Sequence, residues 1–370
     1  MITMNMKKWK ESILTETKKK AMPVLSFPCV QLMGITVAQL ISDSSLQAAG
    51  MKKISERTDS LAAVSMMDLS VEAEAFGSEI RKADDEVPTV VGRILETAED
   101  VRRLKIPDVT SGRTGLYVKA IEQVATEITD RPVLGGVIGP FSLAGRLMDM
   151  SEIMINCMEE PDMVNETLEK TAEFIGNYAL EFKKAGAQGV VMAEPAAGLL
   201  SPGLVEEFSS RYVKKIAERV KDDNFLFVYH NCGPYTPKML ASLTGIGADA
   251  YHFGDAVDMT EVLRGMPADV LVMGNVSPSA QFRHGTPESI YAATTEILRA
   301  CSIYPNFVIS SGCDIPPMSP WENIDSFFKA AKDFTVNYPL PKTQVPPPRA
   351  PYQSPPRSAS SRKCRVAPAG

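Results

Sequence analysis

The 370-residue chain predicts an α/β fold, a parallel (β/α)8 TIM barrel with extra N-terminal helices, and three observations carry that expectation. Short apolar runs rich in Val, Ile and Phe recur eight times. Between most of them lie amphipathic or charged stretches long enough for a helix. At the C-terminal ends of the runs gather polar and soft side chains, as the active-site rim of such a barrel requires.

The predicted strands, in order, are Pro23–Phe27, Ala62–Met67, Pro132–Ile138, Gln188–Ala193, Phe225–His230, Ala248–Phe253, Val270–Gly274 and Asn306–Ser310. Helices are predicted over Asp162–Ala185, with Val164, Leu168, Ala172, Ile175 and Ala179 on one face, and over Leu204–Val220, with Phe208, Tyr212, Ile216 and Val220. A third runs from Pro287 to Ala300, with Glu288 early and Arg299 late, which suits the helix dipole. The long segment Ile80–Asp130 reads as mostly helical decoration. A doubly wound open sheet is the competing architecture, but the Gly-rich loop it wants after its first strand is missing.

Residues 1–340 read as one catalytic domain, and 341–370 as a disordered tail rich in Pro, Ser and Arg with nothing to bury. The tail bears six basic residues, Lys342, Arg349, Arg357, Arg362, Lys363 and Arg365, and no acid; without them the charge of −6 becomes −12 on residues 1–341. A body that acidic repels phosphate backbones, which argues against nucleic acid as a partner. The uncharged run Ala21–Ser42 is broken by Pro23, Pro28, Gln31, Gly34 and Gln39, against a membrane-spanning helix. Six cysteines in so long a chain are too sparse for a secreted disulfide scaffold, so reduced thiols and a cytoplasmic location are expected.

At the predicted rim stand Asp68, Glu194, His230, Cys232, His252, Asp255, Asn275 and Cys313. The sharpest group is His230-Asn231-Cys232-Gly233 with Cys313 in Ser311-Gly312-Cys313-Asp314. Strand ends that face each other across a barrel mouth can bring one imidazole and two thiols to a single ion. Three such ligands with an open fourth position form a catalytic zinc arrangement. The spacing equally admits buried structural thiols. If a metal is held, two thiolates cancel its charge, so a substrate thiol arriving in the open position stays electron-rich, which suits alkyl transfer to sulfur better than hydrolysis.

Further segments extend the pattern: Tyr229 before the His-Asn-Cys-Gly run, Met192-Ala193-Glu194-Pro195, Leu200-Ser201-Pro202, Met273-Gly274-Asn275-Val276-Ser277-Pro278 and Gly312-Cys313-Asp314-Ile315-Pro316-Pro317-Met318-Ser319-Pro320 with Glu322-Asn323. With Glu74-Ala75-Phe76-Gly77 and Gly139-Pro140-Phe141-Ser142-Leu143-Ala144, the chain resembles the uroporphyrinogen decarboxylase superfamily over residues 5–338. Within it the resemblance is strongest to the zinc-dependent methylcobamide:coenzyme M methyltransferase branch. That resemblance implies a TIM barrel, zinc (Zn2+) held by His230, Cys232 and Cys313, and catalytic contributions from Glu194 and Asn275. It also implies methyl transfer from a corrinoid on a partner protein to a small thiol such as coenzyme M.

Two rival functions belong to the same resemblance. One is a metal-free decarboxylase of the uroporphyrinogen type; the family holds that polyacid with arginines in an early loop, whereas no Arg or Lys lies between Lys20 and Lys52 here. The other is a demethylating methyltransferase that passes methyl from a small methylated substrate to a corrinoid protein. Glu194 stands where relatives often carry Asp. His252 has no assigned counterpart and reads as either a packed strand-end histidine or a functional one.

Overall fold

The computed structural model describes residues 4–335, so the expected tail, with Cys364, lies outside the described residues. Nine strands occur among them: β1 (Ala63–Val64), β2 (Glu79–Arg81), β3 (Thr89–Val91), β4 (Val133–Ile138), β5 (Gly189–Ala193), β6 (Leu226–Asn231), β7 (Ala250–Phe253), β8 (Leu271–Val276) and β9 (Phe307–Ser311). Seven form one parallel sheet in the order β1-β4-β5-β6-β7-β8-β9, while β2 and β3 pair as a separate antiparallel ribbon.

Strand neighbours alternate between two apolar clusters, because successive side chains leave a strand on opposite faces. Leu226 and Val228 of β6, Leu134 of β4, Val191 and Ala193 of β5, Ala250 of β7, Leu271 and Met273 of β8 and Val308 of β9 share one cluster. Phe227, Tyr229, Tyr251, Phe307 and Ile309 join the other, against the helices. The expected N-terminal helix is Met6–Thr15, capped by Asn5, whose side chain accepts from Lys8 N at 2.8 Å. Its Met6 and Ile13 add to the strand-interior cluster, so this helix covers an end of the sheet.

Seven of the eight expected strands form, with ends shifted by a few residues. The exception is Pro23–Phe27, where only an isolated bridge, Ala21↔Ile309, is present. Pro23 has no N–H to donate, which limits regular pairing. The neighbouring residues nonetheless bond to both edges of the sheet: Met22 N to Ile309 O at 3.0 Å, and Leu61 N to Ala21 O at 2.9 Å.

Two other expectations change. Ile80–Asp130 holds the β2–β3 ribbon as well as the helices Ala98–Arg103 and Thr114–Val124. Leu204–Val220 is not one uniform helix: Pro202–Val205 passes through a π-helical turn, Glu206–Ser210, into Arg211–Val220. The wider turn brings Ser209 Oγ to 3.0 Å from Glu194 Oε1. The helices Pro161–Lys184 and Pro287–Cys301 form nearly as expected.

The glycine after Cys232 is fixed by packing. A Cβ on Gly233 would lie 2.3 Å from Gly198 Cα, and one on Gly198 would lie 2.5 Å from Gly233 Cα. Both neighbours are backbone, so neither can give way cheaply. Gly233→Ala should therefore cost about 1–3 kcal/mol of stability as an overpacked contact, read as a lower urea midpoint at unchanged slope.

Candidate metal centre

His230 lies on β6, Cys232 one residue beyond it, and Cys313 two residues beyond β9. One donor atom from each lies within 4.8 Å of the others. His230 Nε2 is 3.4 Å from Cys313 Sγ. Tetrahedral zinc with Zn–N of about 2.05 Å and Zn–S of about 2.3 Å would set that pair roughly 3.6 Å apart. One nitrogen and two sulfurs at such separations fit a tetrahedral soft-donor ion with a position left over.

Local structure holds each donor in place. Asn231 Oδ1 accepts from Gly233 N at 2.9 Å and Thr236 Oγ1 at 3.2 Å, and its amide donates to Tyr229 Oη at 3.2 Å, so the turn around Cys232 is tied from within. Gly254 permits the next loop to lie against it, since a Cβ there would meet Cys232 Cα at 2.6 Å. The neighbouring Cys313 sulfur, with burial, pushes the Cys232 thiol up to about 12. Cys232 in turn holds Cys313 below the usual thiol value, so the two sulfurs titrate as a coupled pair.

His252 was readable as packed or functional, and the structure sets it directly against His230. The two residues are register partners on β6 and β7, and their Nδ1 atoms are 2.6 Å apart. Burial, then the neighbouring His230, hold the His252 imidazole well below its ordinary pKa. The signal was present in the chain as two strand-end histidines, but register alone shows that they meet. Cys29, Cys157 and Cys301 are buried and stand outside this group.

Glu194 and Asn275, expected as catalytic, both make hydrogen bonds within the frame of the site. Fully buried Glu194 accepts from Phe141 N at 2.8 Å, Ser142 N at 2.9 Å and Ser209 Oγ at 3.0 Å. It caps the helix Pro140–Met148, where its negative charge meets unpaired N–H groups. Asn275 donates both amide hydrogens to loop carbonyls, Gly254 O at 2.9 Å and Val257 O at 2.8 Å. Through Gly254 it positions the loop that backs Cys232.

Asp68 and Glu74, which could have lined the mouth, both pair with Arg113. Asp68 takes the guanidinium and Tyr117 Oη at 2.8 Å, and Glu74 takes Arg113 Nε at 2.5 Å. A cavity of about 480 Å³ opens alongside, lined by Met67, Leu69, Arg146, Arg283, Asp314 and Met318 among others. Asp314 adjoins Cys313 in sequence, so the cavity reaches the loop that carries a donor sulfur.

The uroporphyrinogen decarboxylase (URO-D) family matches residues 17–334. The chain belongs to that family. Among relatives, a methylcobamide:CoM methyltransferase MtbA from Methanosarcina mazei is 29% identical over 271 residues, spanning 72% of this chain and 78% of the relative. A uroporphyrinogen decarboxylase from Coxiella burnetii is 27% identical over 288 residues, with 74% and 78% covered. Among solved structures, a methyltransferase from Methanosarcina mazei superposes with a TM-score of 0.79 at 23% identity, covering 89% of this chain and 98% of that one. A B12-independent methionine synthase from Shewanella sp. W3-18-1 gives 0.53 at 12% identity, with 85% and 94% covered. Both share the fold of this URO-D family member.

One buried carboxyl near the cavity has a direct consequence for stability. Glu72 accepts from Ile138 N at 2.9 Å, its other oxygen is unpartnered, and burial pushes it up to about 7. A carboxyl raised on folding contributes fully below its ordinary value near 4.5 and loses that contribution as pH climbs through 7. The loss is about 3 kcal/mol between pH 4.5 and 8 at ~1.4 kcal/mol per pH unit. Glu72→Gln should flatten that dependence and exceed the wild type in stability at pH 8, measured by urea unfolding at both pH values.

Proposed function

We propose that this protein is a zinc-dependent methyltransferase that moves a methyl group from a methylated corrinoid, carried by a separate protein, to a small thiol of the coenzyme M kind. One observation carries the reading: His230, Cys232 and Cys313 converge from the ends of β6 and β9, and the loop that follows Cys313 helps to line a cavity. Relatives named as methylcobamide:CoM methyltransferases support it. So does the absence of any Arg or Lys between Lys20 and Lys52, where a polyacid-binding decarboxylase would want them.

His230, Cys232 and Cys313 would hold the zinc, which when bound supplies the Lewis acidity that keeps a substrate thiol deprotonated near neutral pH. Two thiolate donors moderate that acidity, so the substrate sulfur remains nucleophilic. In the overall transfer the sulfur–carbon bond forms and the cobalt–carbon bond breaks. The bonding electron pair stays on cobalt as Co(I), and the thiol proton is released to solvent. The neighbouring segment Ala21–Val24, bonded to both sheet edges, takes the eighth-strand position of a TIM barrel in this reading.

The cavity suits a short thiol with an acidic tail, such as the sulfonate of coenzyme M. Met67, Leu69 and Met318 offer apolar wall, and Arg146 and Arg283 offer guanidinium groups beside the lining carboxyl groups Asp85, Glu86 and Asp314. No helix among the described residues is long and apolar enough to cross a membrane, in keeping with a cytoplasmic enzyme that meets its corrinoid protein at the C-terminal rim of the sheet.

Protein purified without oxygen should carry close to one zinc per chain, mostly lost in Cys313→Ser, as measured by elemental analysis. It should demethylate methylcobalamin only when a thiol is supplied. Carefully reduced wild-type protein without zinc would overturn the reading in favour of the metal-free decarboxylase. Arg146→Ala should raise KM for coenzyme M at least tenfold while leaving zinc content, and turnover of an uncharged thiol, unchanged.

A further inference from the structure

We infer that His252 is a positioning residue that fixes the tautomer of His230, placing the proton on Nδ1 and leaving Nε2 bare toward the two thiols. The inference rests on the proposed role of His230 as a metal ligand, but it follows from a hydrogen-bond chain that can be read without the metal.

The chain starts at a carbonyl, which can only accept. Ser310 Oγ lies 2.7 Å from Met22 O, so the single hydroxyl proton of Ser310 is committed there. The same oxygen lies 2.8 Å from His252 Nε2 and must therefore accept, which puts the His252 proton on Nε2. A neutral imidazole has one N–H, so His252 Nδ1 is a bare acceptor. It sits 2.6 Å from His230 Nδ1, which then has to be the donor.

A second contact reaches the same answer independently. The main-chain oxygen of His252 lies 3.2 Å from His230 Nδ1. Were that nitrogen bare, its lone pair would face both a carbonyl oxygen and another ring nitrogen in a site with almost no water. With the proton on Nδ1, both acceptors are satisfied by one donor, and His230 Nε2, at 3.4 Å from Cys313 Sγ, presents its lone pair to the candidate ion. The opposite assignment would leave Met22 O without its hydroxyl donor as well.

Placement in the sheet makes the chain rigid. His230, His252 and Ser310 belong to β6, β7 and β9, and the His252 side chain spans the intervening β8 to reach Ser310. His252 and Ser310 are fully buried and His230 nearly so. An outer hydrogen bond of this kind usually sets ring orientation and contributes about 10–100-fold to metal affinity.

The test uses the full chain in zinc-free, reduced form with 15N-labelled histidine, of which there are three. Long-range 1H–15N correlation, assigned with His284→Gln and His252→Asn, should show His230 protonated at Nδ1 and His252 at Nε2. An Nε2–H form of His230 would overturn the inference. In zinc competition against a chelator, His252→Phe should lose at least tenfold in affinity, and His252→Asn, whose Oδ1 can take the place of the ring Nδ1, should recover most of it. A folded His252→Phe protein with wild-type affinity would also overturn it. Wild-type protein that shows the expected tautomers yet binds no zinc would sustain this hydrogen-bond chain and sink the zinc function instead.

Discussion

The register between β6 and β7 is the constraint on which the rest of the site depends. With His230 opposite His252, both rings leave their strands on the same face as Val228 and Ala250 below them, above a dry apolar layer. A slip of one residue in either strand would turn its tyrosine, Tyr229 or Tyr251, inward and send its histidine into the helix layer. The apolar alternation that buries Leu226, Val228, Leu271, Met273 and Val308 thus also delivers the imidazoles to the rim. Core packing and site geometry are specified by one periodicity.

Rim polar groups divide into those that face the candidate ion and those that build its frame. Glu194, Asn275 and Asp68, expected at the rim, and Glu74 near them all make hydrogen bonds within the protein, Asn275 through its amide hydrogens. Glu194 ties β5 to the start of the helix Pro140–Met148, and Asn275 ties β8 to the loop behind Cys232. Buried groups of this kind are costly when unpaired and rigidifying when paired. His230, Cys232 and Cys313 instead bring their donor atoms together at one point.

Within a family whose name denotes a decarboxylase, such a donor set changes what the same scaffold can do. Sulfur and imidazole select soft or borderline ions, whereas recognition of a polyacid calls for cationic side chains near the ligand. Fold by itself would not separate these chemistries. The side chains at the strand ends do.

By itself the sequence determined the parallel α/β architecture, because strand and helix periodicities differ and alternate along the chain, and it singled out His230, Cys232 and Cys313, because soft donors at strand ends are conspicuous. It overcounted at Pro23–Phe27, since an apolar run says nothing of a missing N–H, and it missed the ribbon Glu79–Arg81 with Thr89–Val91, whose strands are too short and exposed to stand out. Only the tertiary structure decided which polar residues are free. Glu194 lies 53 residues from the amide of Phe141 that it caps, and His252 lies 58 residues from Ser310. Hydrogen bonds over such separations depend on how strands are placed side by side, which no local pattern of residues encodes.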